Sequence, residues 1–227
     1  MISLHHKVIF VHIPKCAGQS IERAFLRDLG LSWQDRSPLL LRPKKNTEPG
    51  PDRLAHLFAH EYVKFGYIDV AQFKEFYKFS VVRDPIARIV SELNFRKVRR
   101  GRFFGTASVE EYIVKTRKKH SVESDTVRHI EPQVNFLFDE NMEKILVNNV
   151  IHLDEINSEF NRLKSQIGFN GLELRRENVS RSKEWLESEL SKSDVDFLKE
   201  VYQADYKFLA FLKKQSCKKG LGTFKLE

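Results

Sequence analysis

The chain has 227 residues, 41% of them hydrophobic and 11% aromatic, with 18 Phe; this is enough apolar material for the core of one ordinary domain and excludes a chain disordered throughout. Lys and Arg outnumber Asp and Glu by 39 to 31, a formal charge of +8, which favours an anionic partner without choosing among nucleic acid, anionic lipid, acidic glycan and nucleotide. Two cysteines, Cys16 and Cys217, exclude a disulfide framework and a Cys-x-x-Cys metal cluster.

Residues 7–13 (KVIFVHI) form a short Val/Ile-rich run, the composition of a strand covered on both faces, and Pro14 ends it. From Ile21 the apolar residues Ile21, Ala24, Phe25 and Leu29 recur at helical spacing. Between strand and helix lie Pro14, Lys15, Cys16, Ala17, Gly18, Gln19 and Ser20. These are small residues plus one lysine at the point where helix N–H groups are unpaired and the dipole is positive, a loop suited to an anion. It is not the usual nucleotide P-loop, whose Lys directly follows the last Gly; Lys15 precedes Gly18 by three. Residues 32–53 lose periodicity and carry four of the seven prolines, which predicts a long loop. In the next stretch, LAHLFAHEYV, His56 and His60 would share a helical face and could be read as a metal pair, yet Glu61 does not fit the H-E-x-x-H pattern. A neutral imidazole there can instead take a proton from an attacking hydroxyl.

Residues 68–76 predict a helix, and residues 79–82 a strand. Asp84 then stands as N-cap and Pro85 at the first helical position, with Ile86, Ile89, Val90 and Leu93 on the buried face. Arg83 leaves the carboxyl end of that strand, where ligands bind in open α/β sheets, and Ser91 lies eight residues on. The charge excess concentrates in residues 96–102 and 115–119. A helix over 109–119, a strand over 148–153, a helix over 155–167 and one amphipathic helix over 195–212 complete the pattern. Residues 1–213 read as one α/β domain and residues 214–227 as a basic, poorly patterned tail.

The strand, P-K-x-A-G-x-S loop and helix resemble the 5′-phosphosulfate-binding element of sulfotransferases that use 3′-phosphoadenosine 5′-phosphosulfate (PAPS). V-V-R-D-P-x-x-R-x-x-S looks like the 3′-phosphate-binding motif of the same family, with Arg83 and Ser91 matching position by position. A guanidinium fork suits a phosphate that must be told from a hydroxyl. The stretch His56-Leu57-Phe58-Ala59 and the H-x-x-P-Q element of His129 to Gln133 look like the Golgi-type carbohydrate (heparan 2-O-like) subgroup and its bacterial relatives. The resemblance implies a P-loop-kinase-like fold, with a central, mainly parallel sheet flanked by helices. It implies PAPS held by Lys15, Cys16, Ala17, Gly18, Gln19, Ser20, Arg83 and Ser91, joined by Asn178, Ser180 and Arg181 from the N-V-S-R segment. His56 and Lys15 become the catalytic residues, with His60, His129 and Gln133 on the acceptor side and His60 as the reserve base.

The implied reaction moves a sulfuryl group from PAPS to a hydroxyl, on a carbohydrate for preference, and leaves 3′-phosphoadenosine 5′-phosphate (PAP), with no metal required. Two other classes stay open: a P-loop-type kinase, which needs a Lys-Ser/Thr pair after the glycine and an acidic Mg²⁺ ligand, and a non-enzymatic basic module for nucleic acid or acidic glycan. On the sulfotransferase reading no nucleic-acid partner is expected, and an oligomer is compatible with the short chain. The N-terminal stretch offers no apolar segment long enough for a signal or membrane span, so the expected location is cytoplasmic; a chain trimmed of an anchor would belong in the Golgi lumen.

Overall fold

A computed structural model describes residues 1–100, 108–168, 174–175 and 190–215. Its centre is a four-stranded sheet in the order β1 (Ile2–Ser3), β2 (Val8–Val11), β3 (Tyr77–Val82) and β4 (Asn149–His152). β1 runs antiparallel to β2, whereas β2, β3 and β4 are parallel, with Val11 opposite Ser80 and Val82 opposite His152. Parallel neighbours need long crossovers. The first carries α1 (Gly18–Asp28), α2 (Glu61–Lys64) and α3 (Val70–Glu75). The second carries α4 (Pro85–Arg100), α5 (Val109–Lys119), α6 (Asp125–Arg128) and α7 (Val134–Leu137). The helices α8 (Ile156–Gln166), α9 (Lys192–Val201) and α10 (Gln203–Gln215) follow. The expected α/β architecture with a mostly parallel sheet and flanking helices is therefore present.

All four residues of β2 are buried, and each such apolar side chain contributes roughly 1.5–3 kcal/mol. Phe10 and Phe79 meet across β2 and β3 with ring centroids 5.0 Å apart, and Phe25 of α1 stacks on Phe79 at 6.4 Å. A second cluster, Ile89, Leu93, Val109, Ile113, Ile130, Leu198 and Tyr202, joins α4, α5 and α9. The register puts the carboxyl ends of β2 and β3 side by side, so the segment after Val11 and the segment after Val82 leave the same edge of the sheet.

Two expectations need correction. The single helix over 195–212 is two helices, broken at Tyr202, whose buried hydroxyl donates to the Ile130 carbonyl at 2.7 Å and anchors the bend. α9 also begins earlier, because Ser191 and Asp194 form a capping box and Asp194 additionally accepts from the Val109 N–H at 3.0 Å. The long loop over 32–53 is fastened by polar contacts: Arg42 forks onto Glu48 at 2.6 and 2.7 Å, and Pro43 bridges Arg53.

Candidate active site

The segment after β2 turns through two left-handed residues that are not glycine, Lys15 (φ 69°) and Ala17 (φ 58°). Such positions turn neighbouring N–H groups into a concavity that accepts anions. Part of the loop's donor set is already used, since Cys16 N–H reaches the Ile13 carbonyl at 3.3 Å and Ser20 N–H the Ala17 carbonyl at 3.0 Å. Gly18 opens α1 without a side chain for a steric reason: a Cβ there would stand 1.8 Å from His12 Nε2. Lys15 is half-buried with its ammonium 4.2 Å above the Phe95 ring. Burial pushes its pKa down, Glu92 pulls it up, and the Arg83 and Arg96 charges push it down again. Cys16 is a buried thiol, pushed up to about 11 by burial, so it is a packing group and not a nucleophile.

The Arg83 and Ser91 segment is where the sequence put it. Arg83 follows β3, half-buried, and its charge acts on both Lys15 and Cys16. Asp84 caps α4 by accepting the Ala87 N–H at 3.0 Å. Ser91 lies two turns along the helix, half-buried. Gln133 clamps the Arg83 backbone: its Oε1 accepts the Arg83 N–H at 2.9 Å and its Nε2 donates to the Arg83 carbonyl at 2.8 Å. It also receives the Cys16 thiol and leans on Asp205, and only 1% of it is exposed. Gln133 is therefore held in the interior against the Arg83 backbone and not on an open surface.

A row of three imidazoles lies beside the loop. His12 and His56 meet edge to face at 4.8 Å, and His56 and His129 at 5.1 Å. Each has Nδ1 at 2.6 Å from its own carboxylate: His12 on Glu22, His56 on Asp125 and His129 on Glu92. Burial lowers His56 to about 4, with the Asp125 hydrogen bond opposing, so the ring is neutral at neutral pH. Burial acts to raise Asp125, but the hydrogen bond and charge of His56 hold it well below the usual carboxylate range. With Nδ1–H given to Asp125, the lone pair of His56 sits on Nε2, the arrangement a general base needs. His60 stands outside the row, with Nδ1 3.3 Å from the Phe138 carbonyl. His56, Asp125 and His129 could also offer a cation two imidazoles and a carboxylate within 4.8 Å of one another. The 2.6 Å His56–Asp125 contact is, however, a hydrogen bond, shorter than the roughly 3.3 Å between ligands on a tetrahedral zinc with bonds near 2.0 Å.

Arg88 ties these parts together. It is fully buried and donates from Nε to the Pro14 carbonyl at 3.1 Å, from Nη1 to the Glu131 carbonyl at 2.7 Å and from Nη2 to the His129 carbonyl at 3.1 Å.

A family model described as the sulfotransferase family matches residues 1–212. The chain belongs to the sulfotransferase family. No curated protein and no solved structure matches it. Membership makes the protein a transferase of sulfuryl groups, of the EC 2.8.2 type, with a hydroxyl-bearing acceptor. No helix among the described residues of this sulfotransferase is long and apolar enough to cross a membrane. Of the residues singled out in the sequence, the structure gathers Lys15, Cys16, Gly18, His56, Arg83, His129 and Gln133 around one edge of the sheet. Asn178, Ser180 and Arg181 lie outside the described residues. Sequence reasoning missed His12, Glu22, Arg88, Glu92 and Asp125. Two of these left a trace: Asp125 stands four residues before His129, and Arg88 sits inside the R-D-P-x-x-R motif.

Proposed function

We propose that this sulfotransferase takes its sulfuryl group from PAPS and delivers it to a hydroxyl of a carbohydrate, with His56 as general base. The observation that carries this reading is the His56–Asp125 pair, a buried neutral imidazole with its Nδ1 proton fixed, in a row with His12, whose ring packs on Gly18 of the cationic loop. The acceptor oxygen attacks sulfur in line. Its proton passes to His56 Nε2, and the bond from sulfur to the bridging oxygen breaks with its electron pair left on the 5′-phosphate of PAP. Lys15 offsets the charge that grows on that oxygen, and the backbone of residues 16–20 lines the same phosphate. Arg83 and Ser91 hold the 3′-phosphate and so fix the donor. Asp125 keeps the His56 tautomer, and the parallel β2–β3 pair with its loop is read as P-loop-like. His129, tied to Glu92, faces the acceptor side, while the +8 charge and the subgroup resemblance favour a glycan, an acidic one above all.

Calorimetric titration with PAP, beside AMP, tests the reading. Wild-type protein should bind PAP tightly and AMP poorly. Arg83→Ala should weaken PAP by roughly 10- to 150-fold, since a hydrogen bond to a charged group is worth about 1.5–3 kcal/mol. Equal affinity for PAP and AMP would sink the assignment.

A further inference from the structure

Arg96 holds a donor that nothing in the described chain satisfies. It stands on α4 one turn beyond Glu92, and 8% of it is exposed. Its Nε donates to Glu92 and its Nη1 reaches the Thr126 hydroxyl at 3.4 Å, while Nη2 is buried without a hydrogen-bond partner. A buried guanidinium N–H facing no acceptor is costly, and native proteins seldom leave one that way. The surroundings say what kind of acceptor is missing. The preceding residue, Phe95, bears the Lys15 ammonium on its ring. Glu92, gripped by Arg96, also holds His129, and Thr126 adjoins Asp125, which holds His56. Arg96 thus joins the Lys15 side of the site to the histidine row. The Arg83 and Arg96 charges both act on Lys15, and Glu92 and Asp125 are the carboxylates set against Arg96; three cations against two carboxylates leave an excess of positive charge that calls for an anion.

We infer that Arg96 is a further anion-binding residue of this active site, its Nη2 donating to an oxygen of a sulfo group. The inference rests on the sulfuryl-transfer reading above. The sulfo group in transit on the donor and a sulfate carried by the acceptor offer the same chemistry, three equivalent oxygens on a tetrahedral sulfur. The position beside Lys15 favours the group in transit.

The test is Arg96→Lys, which keeps a cation against Glu92 and removes the guanidinium fork, Nη1 and Nη2 together. Thr126→Val, which deletes only the Nη1 acceptor, serves as control. PAP, PAPS and inorganic sulfate, the last added to PAP-saturated protein, are titrated calorimetrically. R96K should bind PAP within twofold of wild type, lose sulfate at least tenfold and lose the advantage of PAPS over PAP by a similar factor, with T126V unchanged in all three. Loss of sulfate with an intact PAPS-to-PAP ratio would still support the sulfo contact and assign it to the acceptor. Undiminished sulfate binding in R96K, or a parallel loss of PAP, PAPS and melting temperature, would overturn the inference. Arg96→Gln, which keeps a neutral hydrogen bond toward Glu92, gives the same reading if R96K does not fold. Failure of wild type to bind PAP would instead remove the donor reading beneath it, an outcome distinct from a defect confined to the variant.

Discussion

Gly18→Ala is a one-carbon change with a large expected effect. The added Cβ would lie 1.8 Å from His12 Nε2, 2.1 Å from Cδ2 and 2.3 Å from Cε1, so one of the two must move. His12 has nowhere to retreat: its Nδ1 is held by Glu22 at 2.6 Å, one face stacks on Phe10 at 5.6 Å, and His56 packs against it at 4.8 Å. Overpacking costs about 1–3 kcal/mol, and displacing the ring from Glu22 forfeits a charge-assisted hydrogen bond of about 1.5–3 kcal/mol, together roughly 2.5–6 kcal/mol. At about 2–4 °C per kcal/mol for a chain of this size, the melting temperature should fall by roughly 5–24 °C. Thermal unfolding followed by circular dichroism reads this directly. A double-mutant cycle isolates the cause, since Gly18→Ala should cost little in a His12→Ala background. A melting temperature within a degree of wild type, or the same cost in both backgrounds, would refute the steric reasoning.

Other outcomes follow from the same geometry. Asp125→Asn removes the charge that fixes the His56 tautomer and should lower turnover roughly 10- to 150-fold, the equivalent of about 1.5–3 kcal/mol, with PAP affinity retained in calorimetry. Because His56 is lowered to about 4 while an unfolded histidine titrates near 6.5, the unfolded chain binds the extra proton first. Stability should therefore fall by roughly 3 kcal/mol as pH drops from about 6.5 to 4, a slope that urea unfolding should find reduced in His56→Gln. Turnover should likewise keep its basic form down to about pH 5, and an acid limb centred near 6.5 would remove His56 as the base. Arg88→Met strands the Pro14, His129 and Glu131 carbonyls, with an expected loss of about 3–5 kcal/mol that Arg88→Lys, lacking the fork, should not restore in denaturant titration.

The strands and helices next to the site were legible because local chemistry dictates them. Val8 to Val11 could be nothing but a buried strand, and Asp84 with Pro85 announced the start of α4. Lys15 and Arg83 could be picked out because a cation at the carboxyl end of a strand has few structural uses. What stayed hidden is long-range pairing. Glu22 and Glu92 look like ordinary polar helix positions, and only the fold brings them under His12 and His129. Gln133 was readable as a polar residue near the site, but its two-pronged grip on the Arg83 backbone depends on β3 and α7 meeting. The left-handed turns at Lys15 and Ala17 had no glycine to betray them. Tyr202 broke α9 from α10 through a hydroxyl bond to Ile130, a contact 72 positions away in the chain that no periodicity records.

The Arg88 guanidinium ties Pro14 of the Lys15 loop to His129 and Glu131 of the second crossover. The two segments are thereby held to a common datum, and a shift in either is passed to the other. The spacing between the Lys15 loop and residues 129–131 becomes a fixed dimension of the protein, set when it folds. On the proposed function, drift in acceptor preference is confined to side chains outside this bracket, because any change that spreads residues 129–131 also unseats the turn that carries Lys15.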